Sequence, residues 1–185
     1  MNVKFLPCRS LKLTFLCILM AAAIAVPAQE RSSASAAKNS ILTAPEAAKI
    51  LPPSVFFRGQ SADIQARNSA GVKFSDGMLV LCTLVDTSGY STGVQQKYQG
   101  FFMTEVPLDL GGHLLPPGAY GVGFQPGNHF VVMDIGAHDL LTAGSAHDAV
   151  LKRPTPLQIL ADTAPDHYRL YFGRNYVVLS RGAGR

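Results

Sequence analysis

Three kinds of side chain in this sequence could do chemistry: imidazoles beside carboxylates, a serine framed by glycines, and an aspartate in a protease-like tripeptide. Five histidines occur, His113, His129, His138, His147 and His167. Three adjoin aspartate, in His138-Asp139, His147-Asp148 and Asp166-His167. Neutral imidazole and ionised carboxylate are ordinary ligands of zinc and other divalent ions. Asp134, His138 and His147 are the residues expected to hold such an ion, should the loops between them converge. No spacing fits H-x-H or H-E-x-x-H, and positions 129 and 134 have opposite parity, so on one regular strand they face opposite sides. The expectation is a chain without a cofactor, with a divalent-metal protein or metal-dependent enzyme as the alternative.

Gly89-Tyr-Ser91-Thr-Gly93 matches the G-x-S-x-G pattern of a nucleophile elbow, with Asp134 and His138 following in the order such a hydrolase needs. That chemistry requires a sharp strand-to-helix turn that exposes the serine. Val94 to Phe102 reads as a strand, and the chain shows no βαβ alternation, so serine hydrolysis is the least favoured reading. Asp86-Thr-Ser88 resembles the Asp-Thr-Gly of aspartic proteases with serine in the glycine position, where the loop must approach its dyad mate closely. A turn in which Asp86 accepts backbone N–H bonds suits it better. Ser35-x-x-Lys38 lacks the S-D-N and K-T-G partners that its penicillin-recognising counterpart uses.

Ligand contact without chemistry is the other possibility. Tyr90, Tyr120, Tyr168 and Tyr171, with Arg153 and Arg174, are the residues expected to line a cleft for a glycan, a small molecule or a protein. Trp, the usual sugar platform, is absent. Tyr at alternate strand positions also serves as core edge with its hydroxyl at the rim. Arg169, Arg174, Arg181 and Arg185 crowd the C-terminal end and read as a solvated face, with anion binding as the alternative.

The elements that must position these groups are mostly strands. Thr43-Ala-Pro-Glu46 opens a short helix with a capping-box pattern, and Pro52-Pro53 ends it. After it come Val55 to Phe57, a hairpin about Asn68 to Gly71, and the near-continuous apolar run Met78 to Asp86, which reads as a central strand covered on both faces. Gln96 to Pro107 reads as one long strand. Pro116-Pro-Gly-Ala-Tyr120 resembles the tyrosine corner of Greek-key sandwiches, in which the phenol bonds back to the preceding loop. Two hairpins echo each other: Tyr120-x-Val-x-Phe124, turn to Asn128, then His129-Phe-Val-Val132; and Tyr168-x-Leu-x-Phe172, turn to Asn175, then Tyr176-Val-Val178. Leu157 to Ala161 suits a short strand or a helical turn. Eight or nine antiparallel strands with one short N-terminal helix make an all-β fold, a sandwich or a small barrel, with the tyrosine corner favouring the sandwich.

Residues 1–28 read as a secretory signal peptide: Lys4, Arg9 and Lys12, then the uncharged run Leu13 to Val26, then small residues at Val26 and Ala28. That run of 14 residues falls short of the ~20 a membrane span needs. Residues 29–42 are small and polar and read as a flexible linker, and 43–182 as a single β-rich domain. The chain carries +4 overall, but export would leave thirteen basic against twelve acidic residues. So neutral a surface argues against nucleic acid, whose binding is dominated by phosphate neutralisation. Export would also leave Cys82 as the sole cysteine, with no disulfide to form. The reading that emerges is an exported bacterial β-domain, periplasmic or secreted, without a stable membrane span. It acts as a non-catalytic binding or structural accessory protein, contacting its partner through Thr87 to Gly93, Gln125 to Asn128 or Lys152 to Pro156.

Overall fold

The structure is a computed structural model that describes residues 38–183. The segments read as signal peptide and as the first part of the linker lie outside the described residues. Thr43-Ala-Pro-Glu46 does start a helix. β1 (Ser40–Leu42) leads into α1 (Ala44–Ile50), where the Glu46 carboxylate accepts the Thr43 N–H at 2.8 Å and the Thr43 hydroxyl at 2.7 Å. There follow β2 (Ser54–Phe57), β3 (Gln60–Lys73), β4 (Leu79–Val85), α2 (Thr92–Lys97), β5 (Gly100–Thr104), β6 (Leu108–Leu110) and β7 (His113–Leu115). The second half holds β8 (Gly118–Gln125), β9 (His129–Met133), β10 (Asp139–Gly144), β11 (Ala146–His147), β12 (Leu157–Ala161), β13 (His167–Phe172) and β14 (Asn175–Arg181).

These strands make two antiparallel sheets, and the fold is an all-β sandwich. The larger sheet runs β1-β3-β4-β5-β8-β9-β10, with β2 paired to β3; the smaller runs β12-β13-β14-β6-β7, with β11 paired to β14. Two apolar layers follow from the pleat. Val80, Cys82, Phe102, Val122 and Val132 point between the sheets and meet Leu170, Val177 and Leu179. Their neighbours Leu81, Phe101, Val131 and Met133 point the other way and are covered by Ala47 and Leu51 of α1, Val55 and Phe57 of β2, and Val94 of α2. The larger sheet is therefore buried on both faces, as the unbroken apolar run of β4 requires.

The echoed hairpins are β8–β9 and β13–β14, and they lie in opposite sheets. Tyr120, Val122 and Phe124 of one share the inter-sheet core with Tyr168, Leu170 and Phe172 of the other, and the Phe124 and Phe172 rings meet edge-on at 5.2 Å. The tyrosine corner is present: the Tyr120 hydroxyl donates to the Pro116 carbonyl at 2.8 Å.

Several expectations need correction. Asn68 to Gly71 is no turn. β3 passes straight through it with a register shift between Ile64 and Ser69, and Gly71 is small because a Cβ there would stand 2.7 Å from the Leu81 side chain and the Val80 carbonyl. Gln96 to Pro107 is not one strand, since α2 takes its first residues. Val94 and Tyr98, four apart, both enter the outer apolar layer, and Gln95, Gln96 and Lys97 are good helix formers between them. There are thus two helices among the described residues, and more, shorter strands than expected. Ser40–Leu42, read as linker, is an edge strand paired with Gly71–Lys73.

Candidate functional site

The groups that could do chemistry are largely spent on holding loops. Ser91 sits at the N-cap of α2 with φ −63° and ψ 152°, an ordinary extended conformation without the strain of a nucleophile elbow. The strand expected over Val94 to Phe102 begins only at Gly100; α2 takes its first residues, and that helix is six residues long. No hydrogen bond joins Ser91 to an imidazole among the described residues. Asp86 accepts the Ser88 N–H at 3.0 Å, the turn role expected of it, and that bond holds its carboxyl below the usual range. Cys82 is fully buried, and burial pushes its thiol far up.

Of the three expected metal ligands, the fold brings two together. His138 Nδ1 lies 2.9 Å from Asp134 Oδ2, and the His138 N–H donates to Asp134 Oδ1 at 2.9 Å. These contacts hold the Asp134 carboxyl low, the backbone bond first. His147 does not join them. It pairs through Nδ1 with Asn175 Oδ1 at 2.8 Å, on the β11–β14 ladder of the other sheet. No group of three or more His, Cys, Asp or Glu capable of holding a metal occurs among the described residues. The expected Asp134–His138–His147 site is thus not assembled: β10 ends and the chain crosses between sheets before reaching position 147.

The tyrosines likewise do not converge on a cleft. The Tyr90 hydroxyl donates to the Phe57 and Gln60 carbonyls at 3.1 and 3.3 Å, Tyr120 to Pro116, and Tyr171 to Asp148 Oδ2 at 3.0 Å. All four expected tyrosines are buried, Tyr171 to 1% exposure. Arg174 Nη1 lies 3.1, 2.9 and 3.0 Å from the carbonyl oxygens of Asp148, Ala149 and Leu151, strapping that loop to the sheet. Arg169 pairs with Asp162 and Arg181 with Asp76. The C-terminal arginines inside the described residues are therefore structural ties. Of the six expected contact residues only Arg153 is exposed, and its carbonyl accepts from Gln158 at 3.3 Å.

What the fold leaves open is a seam between the sheets. β12 ends the order of the smaller sheet, and across from it stand β1 and the shifted stretch of β3. Two adjoining depressions, about 400 and 310 Å³, follow this seam and share Ile41 in their walls. The first lies against the Asp162–Asp166 turn, with Tyr168 at its side; the second has Ser69, Ala70, Leu157 and Ile159 beneath it. Ile41 on one wall and Leu160 on the other are 38% and 37% exposed. Lys38 and Arg67 line it, and Arg153 stands beyond Gln158. The sequence reading reached only Arg153, Tyr168 and Thr155 of this surface. It missed Ile41, Arg67 and Leu160, because a seam is made by two strands far apart in the chain. The one local signal was an aliphatic pair, Ile41-Leu42, inside a polar stretch.

Compared with family models, with curated proteins and with solved structures, the chain matches none. Among the described residues no helix is long and apolar enough to cross a membrane.

Proposed function

We propose that this chain is an exported, non-catalytic binding or accessory module, and that it meets its partner along the seam between β12 and β1/β3. The observation that supports this most is a contrast. Among the described residues Asp86 is bonded into a turn, His138 and His147 are each held in a single two-membered pair, and Cys82 is buried, whereas the seam keeps partly exposed aliphatic side chains together with Lys38 and Arg67, which have no ion-pair partner there, in a concave surface. Concave, largely apolar surfaces with a few polar groups are where proteins take ligands. Export rests on the sequence of residues 1–28.

A photo-crosslinking amino acid placed at Ile41 in the producing cell tests it. The expected result is a discrete crosslinked species from position 41 and none from Gly127, at a hairpin tip on another part of the surface. Crosslinking from position 127 alone would move the interface elsewhere. Stoichiometric labelling of Ser91 by a fluorophosphonate, or a stoichiometric divalent ion lost in His138→Ala, would replace the reading with an enzymatic or metal-binding one.

A further inference from the structure

Away from the seam, the exposed turn between β3 and β4 carries a covalent chemistry of its own. Asp-Gly occurs once in the sequence, at Asp76-Gly77, and Asn-Gly not at all. In such a pair the glycine nitrogen can attack the carbonyl carbon of the aspartyl side chain. The new C–N bond closes a five-membered succinimide, and one water molecule leaves. Water then opens the ring at either carbonyl. One opening restores aspartate; the other gives isoaspartate, whose main chain runs through the former side chain and is one carbon longer. Atoms balance without an oxidant, a cofactor or an enzyme. Glycine favours the first step because no Cβ crowds the attacking nitrogen.

The turn offers the reaction its site. Asp76 and Gly77 are both exposed, Gly77 has φ +88°, and nothing lies within 4 Å of the place its Cβ would take. The same turn is held against the reaction at each reacting group. Arg181 Nη1, from the last strand, lies 2.6 Å from Asp76 Oδ2, and its guanidinium rests 5.3 Å from the centre of the Phe74 ring. The Met78 N–H donates to Asp76 Oδ1 at 3.1 Å, so both carboxylate oxygens are engaged. The nucleophile is tied as well, since the Gly77 N–H donates to the Phe74 carbonyl at 2.9 Å. Arg181 first, and then the Met78 N–H, hold the Asp76 carboxyl below the usual range. An ionised carboxylate is a poor electrophile, because water leaves readily only from the neutral acid. A glycine nitrogen fixed in a hydrogen-bonded turn must also break that bond before it reaches the carbon.

We infer that Asp76-Gly77 is a spontaneous isomerisation site of this chain, and that Arg181, clamping Asp76 and Phe74 together, is the residue that restrains it. The damage would not stay local. Asn39 bonds the neighbouring Ser75 N–H and, through its other side-chain atom, Asp166 on the smaller sheet, so a lengthened turn pulls on a tie between the sheets.

The full chain, Arg181→Ala and a synthetic peptide of residues 72–80 are incubated at neutral pH and body temperature, and isoaspartate is located and quantified by tandem mass spectrometry. The peptide lacks the clamp and should convert fastest, the full chain slowest. Arg181→Ala should convert roughly fivefold faster than the full chain, the factor that loss of a partly exposed ion pair supplies. Sodium chloride at about 1 M, which shortens the Debye length to about 3 Å, should speed the unaltered chain by a smaller factor and leave the peptide's rate as it was. The salt arm needs no substitution, so it decides the matter if urea unfolding shows that Arg181→Ala does not fold. Four results would overturn the inference. One is a full chain that converts as fast as the peptide. Another is a folded Arg181→Ala that converts no faster than the full chain. A third is a full-chain rate indifferent to salt. The last is isoaspartate arising in Arg181→Ala at aspartates other than Asp76.

Discussion

Tyr98 and Tyr171 are both buried phenols, and they contrast in how they are satisfied. The Tyr98 hydroxyl is enclosed without a hydrogen-bond partner while its ring stacks on Phe57 at 3.7 Å. The Tyr171 hydroxyl donates to Asp148 Oδ2. A buried hydroxyl with no partner costs free energy, whereas a satisfied one contributes about 1 kcal/mol or more. Tyr98→Phe is therefore expected to leave stability unchanged or raise it by up to about 1 kcal/mol, and Tyr171→Phe to lower it by roughly 1–2 kcal/mol, as read from urea midpoints. Asp162 supplies the pH dependence. The Thr163 N–H first, and then the Arg169 guanidinium, hold its carboxyl below the usual range. A carboxyl depressed in the folded state contributes its full stability above the unfolded value, about 3.9, and loses it as pH falls through the folded one. Thermal unfolding should therefore show stability falling below about pH 4, with Asp162→Asn less stable at pH 7 and flatter across that acid range.

At the scale of elements, the outer layer depends on two close approaches to β8. A Cβ at Gly121 would stand 2.3 Å from the Phe57 ring, and one at Gly123 would stand 2.0 Å from the Lys97 carbonyl oxygen. Gly121→Ala must push Phe57 off Tyr98 and loosen β2, and overpacking of this kind costs about 1–3 kcal/mol. Gly93 in α2 is the control. Nothing lies within 4 Å of its Cβ position, and Gly93→Ala should stabilise by roughly 0.5–1 kcal/mol through helix propensity. Chemical denaturation of the two variants should give shifts of opposite sign. The strands with strong alternation or unbroken apolar runs, β4, β8, β9, β13 and β14, were legible in the sequence because their own residues specify the pleat and both neighbours. α2 was not, because its single i, i+4 pair, Val94 and Tyr98, also suits an alternating strand. The continuity of β3 through Asn68 to Gly71 was hidden for a related reason: Asn-Ser-Ala-Gly signals a turn locally, and only the approach of Leu81 makes glycine a matter of space.

At the scale of the whole molecule, Asn39 ties three parts together. Its side-chain oxygen accepts the Ser75 N–H at 2.8 Å from the β3–β4 turn of the larger sheet, and its nitrogen donates to Asp166 on the β12–β13 turn of the smaller one. Asn39→Ala is expected to cost about 1–2 kcal/mol and to speed amide hydrogen exchange at both turns together, a coupling that a merely local contact would not produce. The candidate site belongs to this scale as well. By itself the sequence determined an all-β fold, sandwich or small barrel, with a capped first helix, a tyrosine corner and two matched hairpins, because hydrophobic period, caps and turn residues act within a few positions of one another. Only the tertiary structure decided that these hairpins face each other across one core in the two sheets of one sandwich, that Asp134 and His138 meet without His147, and that the Tyr90 and Tyr120 hydroxyls turn to backbone carbonyls. It alone made a seam of Ile41, Arg67 and Leu160, since nothing in the chain near any one of them encodes which distant strand will lie opposite.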